Sequence, residues 1–380
     1  MATYYVRTDG SDTNTGTGTG TGQAWATIGK ALGSTGIASG DTVYIKPGTY
    51  AESVTIAVTP TATTSVIGDS DGAIFGSTGE VIWSGFTNGN DAAPTGIPCI
   101  LNGKKYFTFR RITFYGDDPG SLNSSCINAT TSVSTNLTLE QCVFHILGSS
   151  SGLRLLIPNN TSMYLTVDRC AFVGRGSAIY LDTRPGATGT DWNSEVDIKN
   201  CVFLNSNEGI RMATNQSNTT SRSSHGKVTN CLFYGADYAV RTNNAFAWAT
   251  TDGMAVRNCM IYGNATNGLF AAVSGQITSD YNRFADNNVN FSLVTAGTND
   301  ILQGAYELDF GAGYIQGGAN RAFWMPSQTI NPSADTSIQP STDIIGTTRT
   351  STSVVGAYLD KDLAPATASL AANPLGGFVG

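Results

Sequence analysis

Apolar and polar residues alternate along most of this chain in short runs that recur about every 30 residues. In one copy, residues 196–203 read Val-Asp-Ile-Lys-Asn-Cys-Val-Phe, so that apolar side chains take every second position on both sides of Asn200. A period of two predicts short, half-buried β-strands. Asn suits the corner between two such strands because it tolerates the left-handed backbone conformation.

The same shape occurs in five segments and, in degenerate form, in two more: 137–144, 165–172, 196–203, 226–233 and 254–261, with 107–114 and 277–284 flanking them. A third apolar strand follows each unit at a constant distance, as from Phe172 to Ile179. Three short strands per repeat predict an all-β, right-handed, single-stranded parallel β-helix of about ten rungs. Helical repeats need a period of 3.6, and propeller blades need four strands, so both fit less well.

Both ends of such a solenoid need covers, because an open rung exposes unpaired backbone. Residues 24–32 place Trp25, Ile28 and Leu32 on one helical face, which predicts a short helix that caps the N-terminal end. The repeat ends near Asn299. We predict one continuous domain: a cap and first rungs in 1–60, a β-helix body in 61–300, and C-terminal rungs with an irregular wrapping tail in 301–380.

Segments near the two ends resemble a known family. Residues 4–12, 25–28 and 40–50 resemble the N-terminal module of the pectate-lyase-like right-handed β-helix superfamily, and residues 331–335, 343–346 and 356–358 resemble its closing motif. The resemblance implies the fold over about residues 3–360. It does not choose a function, because the superfamily includes polysaccharide lyases, glycoside hydrolases, adhesins, phage tailspikes and other virion proteins.

The low, negative charge argues against a nucleic-acid partner, and no segment of the sequence predicts a membrane helix. Only 13% of the residues are charged and the net charge is −7, with no Lys/Arg run longer than two, so we expect no nucleic-acid partner. No apolar run approaches the ~20 residues of a membrane helix. The first residues lack a signal-peptide pattern. We expect a virion-surface or extracellular protein that leaves the cell by another route, or whose signal peptide was removed.

Stacking turns each repeat position into a column along the solenoid. The corner column predicts a structural ladder with Asn in its second half: Arg111, Gln141, Arg169, Asn200, Asn230, Asn258 and Tyr281. The cysteine column predicts inward, unpaired thiols that act as small hydrophobes: Cys142, Cys170, Cys201, Cys231 and Cys259. A line of ligands does not converge, so we expect no metal there. A charged column of both signs predicts a solvated salt-bridge ladder: Arg110, Glu140, Asp168, Lys199, Thr229, Arg257 and Asp280.

The position between Cys and Phe forms what we name the apolar stripe. Pleating should point it outward, yet five consecutive members are apolar: Thr113, Val143, Ala171, Val202, Leu232, Met260 and Arg283. An exposed stripe of this kind is usually covered. Two covers are expected as alternatives: the C-terminal tail, or another subunit in a homotrimer or a docked capsid or tail protein.

The outward column of the third strand carries the candidate chemistry: Asn128, Arg154, Tyr180, Arg211, Arg241 and Phe270. Guanidinium groups bind carboxylates, and rings stack on sugars, so the column favours a polysaccharide or cell-surface glycan. The resemblance implies that this sheet and its loops form a polysaccharide cleft. The candidate substrate-binding residues are Arg154, Tyr180, Asp182, Trp192, Phe246, Trp248 and Phe270. In the structural alternative, these arginines only form ion pairs on the surface, Arg211 with Glu208 and Arg241 with Asp237.

Two function classes follow. The first is a non-catalytic β-helix surface protein, such as a phage virion spike, fibre or capsid decoration subunit, with glycan binding and no cofactor. The second is a polysaccharide lyase acting on a uronate-containing glycan, with Ca²⁺ assistance and the catalytic candidates Arg211, Arg241, Glu208 and Asp237. A glycan-binding adhesin of a cell is a third possibility. The enzyme hypothesis lacks a visible acidic partner for His145 or His225, and residues 69–72 (Asp-Ser-Asp-Gly) predict a turn rather than a calcium site.

Overall fold

The computed structural model describes residues 1–85, 97–116, 125–130, 135–146, 151–157, 163–183, 193–214, 223–243, 253–303, 314–317 and 321–324. Within these ranges the chain forms a parallel β-solenoid with three sheets and almost no helix. The predicted all-β, parallel β-helix fold is therefore confirmed. No helix in the described ranges is long and apolar enough to cross a membrane.

The three sheets contain ten, ten and nine strands. Sheet A contains β1 Thr3–Val6, β2 Thr42–Ile45, β5 Thr64–Gly68, β8 Phe107–Arg110, β11 Thr135–Glu140, β14 Met163–Asp168, β17 Asn193–Lys199, β20 Ser223–Thr229, β23 Met254–Arg257 and β26 Ile277–Asp280. Sheet B contains β3 Gly48–Ala51, β6 Val81–Ser84, β9 Thr113–Gly116, β12 Val143–Ile146, β15 Ala171–Gly174, β18 Val202–Leu204, β21 Leu232–Tyr234, β24 Met260–Tyr262, β27 Arg283–Ala285 and β29 Ile301–Gln303. Sheet C contains β4 Val54–Thr55, β7 Cys99–Ile100, β10 Ser125–Thr130, β13 Ser151–Ile157, β16 Ser177–Thr183, β19 Glu208–Thr214, β22 Tyr238–Thr242, β25 Asn267–Phe270 and β28 Val289–Ser292. A separate antiparallel pair consists of β30 Tyr314–Gly317 and β31 Arg321–Trp324.

The corner between sheets A and B is a single residue in the left-handed conformation. Seven successive rungs repeat it with φ between 52° and 58°: Arg111, Gln141, Arg169, Asn200, Asn230, Asn258 and Tyr281. The three asparagines are buried, and Asn200 Nδ2 donates to Asp168 Oδ1 on the preceding rung at 3.1 Å. This confirms the predicted corner column.

The core is built from inward columns that stack at the rung spacing. Five phenylalanine rings form a continuous pile with centroid separations of 4.5–5.2 Å and nearly parallel planes: Phe114, Phe144, Phe172, Phe203 and Phe233. All seven cysteines are free and buried, as predicted for the five of the cysteine column. The thiols of the cysteine column donate to nearby carbonyls, as Cys201 Sγ does to the Lys199 oxygen at 3.1 Å.

The N-terminal cap contains a shorter helix than the sequence predicts. Helix α1 spans Ile28–Leu32, and Thr27 caps it by accepting the Lys30 N–H. The helix does not begin earlier because Trp25 pairs as extended backbone with the first strand: its N–H donates to the Tyr5 oxygen and its oxygen accepts from the Arg7 N–H. The prediction that Trp25 lies on the helix is therefore wrong. Its ring instead stacks on Tyr4, with centroids 4.9 Å apart.

The apolar stripe runs along sheet B and is buried in the single chain. Its members are between 0% and 9% exposed: Thr113, Val143, Ala171, Val202, Leu232, Met260 and Arg283. The stripe is thus not the open surface that its outward position suggests. The predicted wrapping tail beyond residue 324 and the closing motif at 331–358 lie outside the described residues, so the choice between the two covers stays a prediction.

Candidate functional site

The candidate column lies on the outer face of sheet C, where the strand register places its members side by side. Arg154 pairs with Tyr180, Tyr180 with Arg211, Arg211 with Arg241, and Arg241 with Phe270. Side chains alternate across the sheet, so the neighbours of the column in sequence point into the core. The predicted column therefore exists as one line over five rungs. We name it the arginine column.

Glu208 joins two arginines of this column. Its side chain is only 8% exposed and accepts from Arg241 Nη1 on Oε1 at 2.8 Å and from Arg211 Nη1 on Oε2 at 3.3 Å. Ser177 Oγ, one rung below, also donates to Oε2 at 2.8 Å. Hydrogen bonds between charged groups are the stronger kind, so one carboxylate fixes two guanidinium groups. Two arginines against one glutamate leave this triad with one net positive charge.

Guanidinium groups also cover the aromatic rings. The Arg154 and Arg211 guanidinium carbons lie 5.6 and 4.9 Å from the centroid of the Tyr180 ring, which sits on the rung between them. The Arg241 carbon lies 4.4 Å from the Tyr238 centroid and 5.5 Å from that of Phe270. Such contacts attract a cation to the negative face of a ring. The result is a ribbon of alternating planar groups whose aromatic rings stay partly exposed.

Sequence reasoning missed Ser177 and Tyr238. Both belong to a second outward column at the start of the sheet C strands: Ser125, Ser151, Ser177, Glu208, Tyr238 and Asn267. Tyr238 lies directly beside Glu208 in the register. Aligning the repeats at the residue three positions before each arginine would have shown this column.

The remaining candidate site residues are two aspartates and three aromatic residues. Asp237 is exposed in the turn before β22, and Arg241 pairs with Glu208 of the preceding rung rather than with Asp237. The sequence-based pairing is therefore right for Arg211 and wrong for Arg241, because stacking brings the neighbouring rung closer than the local turn. Asp182 belongs to β16, but its side chain lies outside the described residues, as do Trp192, Phe246 and Trp248.

The two histidines and Asp69 lie away from this face. His145 stacks on Tyr115 on sheet B at 4.3 Å between centroids, and burial lowers its pKa to about 4. His225 belongs to β20 on sheet A, and its side chain is outside the described residues. The Asp69 carboxylate closes a turn by accepting the N–H groups of Ile74 and Phe75 at 3.0 and 2.7 Å. Among the described side chains, no three His, Cys, Asp or Glu residues converge on a possible metal position.

Comparison with known proteins finds matches among solved structures. No known family profile matches the sequence, and no curated protein matches it. The chain is similar to the solved structure of pectate lyase Pel9A, with 14% identity over 95% of this chain and 96% of that one and a TM-score of 0.42. A rhamnogalacturonan lyase gives 14% identity, 75% and 74% coverage and a TM-score of 0.40. A pectin methylesterase from carrot gives 13% identity over 80% of this chain and 88% of that one, with a TM-score of 0.35.

Values this low carry no argument about activity. The parallel β-helix fold is seen directly in the chain's own three parallel sheets. A fold of this kind does not by itself determine function, which resides in the site.

Proposed function

We propose that this chain is a non-catalytic glycan-binding β-helix whose ligand lies along the arginine column on the outer face of sheet C. The observation that carries the proposal is the Arg211–Glu208–Arg241 triad, which holds two guanidinium groups in fixed positions between aromatic side chains. A glycan presents carboxylates to such donors and apolar ring faces to such side chains.

Charge and exposure support this surface as a binding site. The chain as a whole is acidic, with a net charge of −7, whereas the triad is locally positive. The side chains of Arg211 and Arg241 remain 32% and 28% exposed, so their outer N–H groups reach solvent. Because the strand register fixes the backbone beneath them, little side-chain order has to be gained when a ligand binds.

The same contacts argue against a catalytic role for these arginines. A lyase needs a base that takes a proton from carbon, and both guanidinium groups already donate to the Glu208 carboxylate. Glu208 is a poor substitute because it is buried and its two oxygens already accept three hydrogen bonds. The triad thus suits recognition better than proton transfer.

Buried free thiols support a place on a particle surface, such as a phage spike, fibre or decoration subunit. Seven unpaired cysteines suit a chain that folds in a reducing cytosol and leaves the cell after assembly. The apolar stripe also supports a place on a particle, because contact with another subunit or with a capsid protein is one of the two covers expected for it. Light scattering of the intact protein tests this part: a trimer or larger assembly is expected, and a monomer would oppose it.

Binding and product formation test the main proposal together. Titration calorimetry against acidic polysaccharides should show binding that the double variant Arg211→Gln/Arg241→Gln weakens at least about tenfold, since each charge-assisted hydrogen bond contributes about 1.5–3 kcal/mol. Lys227→Gln, which removes an exposed cation from sheet A, is the matched control. Absence of binding would overturn the proposal. Ultraviolet-absorbing unsaturated product, with and without Ca²⁺, that disappears in Arg211→Gln would establish the lyase instead.

A further inference from the structure

The arginine column has a fixed order of chemical groups along the solenoid axis. Four consecutive rungs present Tyr180, Arg211, Arg241 and Phe270, so that two cations are flanked by an aromatic side chain on each side. Adjacent rungs are about 4.8 Å apart, so the four positions span about 14 Å. This is close to the length of three sugar residues in an extended chain.

The exposed positive charge of the column lies in the middle of this segment, because Arg154, on the rung beyond Tyr180, is only 8% exposed. Glu208 cancels one of the two guanidinium charges, which leaves one positive charge for a ligand. Neither flanking position offers a matching cation of its own, because Phe270 has no hydrogen-bond donor and Tyr180 has only its hydroxyl. The exposed Asp237, in the turn that leads into β22, adds negative charge near the Arg241 rung.

From this order we infer that the ligand carries isolated acidic residues, each flanked by uncharged sugars, rather than an acid on every residue. The inference rests on the proposed function and specifies its ligand. One carboxylate binds the outer N–H groups of Arg211 and Arg241, and the neighbouring sugars pack along Tyr180 and Phe270. A polymer with an acid on every residue would place its next carboxylates against aromatic rings, whose faces are negative.

Oligosaccharides of equal length separate these possibilities. The probes are a hyaluronan fragment, in which acidic and neutral residues alternate, an oligogalacturonate, in which every residue is acidic, and a neutral chito-oligosaccharide. Titrations run at one fixed ionic strength, because screening changes every such affinity. We expect the alternating fragment to bind at least about tenfold more tightly than either of the others.

A variant tests the assigned order directly. Phe270→Arg adds a cation beside Arg241 and should improve binding of the oligogalacturonate more than that of the alternating fragment. Lys227→Gln should change neither affinity. Equal or tighter binding of the oligogalacturonate or of the neutral fragment by the unaltered protein would overturn this inference while leaving glycan binding intact. Failure of all three probes and of acidic polysaccharides would overturn the proposed function itself.

Discussion

The Glu208 carboxylate and the Arg241 guanidinium pair across a rung boundary, with Oε1 and Nη1 2.8 Å apart. The two residues are 33 positions apart in sequence, yet they lie on neighbouring strands, β19 and β22. Because Glu208 also holds Arg211 of its own strand, one side chain links the outer surfaces of two rungs. The site therefore helps to stabilise the solenoid, and substitutions in it should lower the free energy of unfolding as well as the affinity for a ligand.

Replacing Glu208 by glutamine should destabilise the protein. The amide keeps the shape but leaves two neighbouring guanidinium groups without their counter-charge, at a cost of about 1–3 kcal/mol after allowing for their partial exposure. Urea unfolding measures the loss. Glu140→Gln, on the outer face of sheet A, is the control and should stay within about 0.5 kcal/mol of the parent. Equal effects of the two substitutions would contradict the role given to Glu208.

The corner column predicts a stabilising substitution. Gln141 sits at φ 53°, a region that costs an ordinary residue roughly 1–2 kcal/mol and costs Asn less. Gln141→Asn should therefore raise the free energy of unfolding by about 0.5–1 kcal/mol. Glu140→Asn, one residue earlier in a regular strand, should give no gain because Asn is disfavoured in strands. A stabilised Glu140→Asn would show that something other than the left-handed backbone is responsible.

The phenylalanine pile should tolerate no gap. Phe172 is fully buried and stacks on Phe144 and Phe203 at 4.6 and 5.1 Å between ring centroids. Phe172→Ala removes both contacts and leaves a cavity, so we expect a loss of about 3–5 kcal/mol in denaturant unfolding. Tyr164→Ala, at an exposed site on β14, should cost far less. A loss at position 172 no larger than at 164 would mean that the pile collapses to fill the space.

His145 should make stability depend on acid pH. Burial lowers its pKa to about 4, against about 6.5 in the unfolded chain, so the unfolded state binds the proton more readily between these values. Stability should fall as the pH drops from 6.5 to 4, by up to about 3 kcal/mol, and this part of the loss should be complete below pH 4. His145→Phe keeps an aromatic partner for Tyr115 but cannot titrate. A constant difference between parent and variant across this range would refute the assignment.

The buried thiols should be inert in the folded protein. Burial raises the pKa of Cys170, Cys201 and Cys231, and only the thiolate reacts with alkylating reagents. Mass spectrometry should find no labelled cysteine at neutral pH until the chain unfolds, and full labelling in denaturant. Thr278→Cys, at an exposed position on sheet A, should label at once. Rapid labelling of any native cysteine would show a local opening of the core.

Sequence reasoning worked where one rule acts on every rung. A period of two puts Phe203 inward and Arg211 outward whatever the neighbouring rungs contain, so the columns could be written down before the strands were seen. It failed where one side chain decides between partners. Arg241 has Asp237 nearby in sequence but pairs with Glu208 through rung stacking, and the repeat pattern contains nothing that ranks these two contacts.

The cap shows the same limit. The apolar spacing of residues 25, 28 and 32 is compatible with a helix, but backbone hydrogen bonds to residues 5 and 7 hold Trp25 in an extended conformation. Such a contact depends on how a glycine-rich loop folds back, which local periodicity does not encode. The apolar stripe is similar, since its pattern shows that a cover is needed without identifying the cover.

The parallel register of the rungs also shapes how this protein can evolve. Each strand pairs only with the strands directly before and after it in its sheet, so gain or loss of a whole repeat of about 30 residues leaves every other column aligned. An unequal crossover in the gene could therefore lengthen the arginine column by one position in a single event. Ligand preference could change by rearranging intact repeats. The fold would stay the same, and every intermediate variant would still be able to fold.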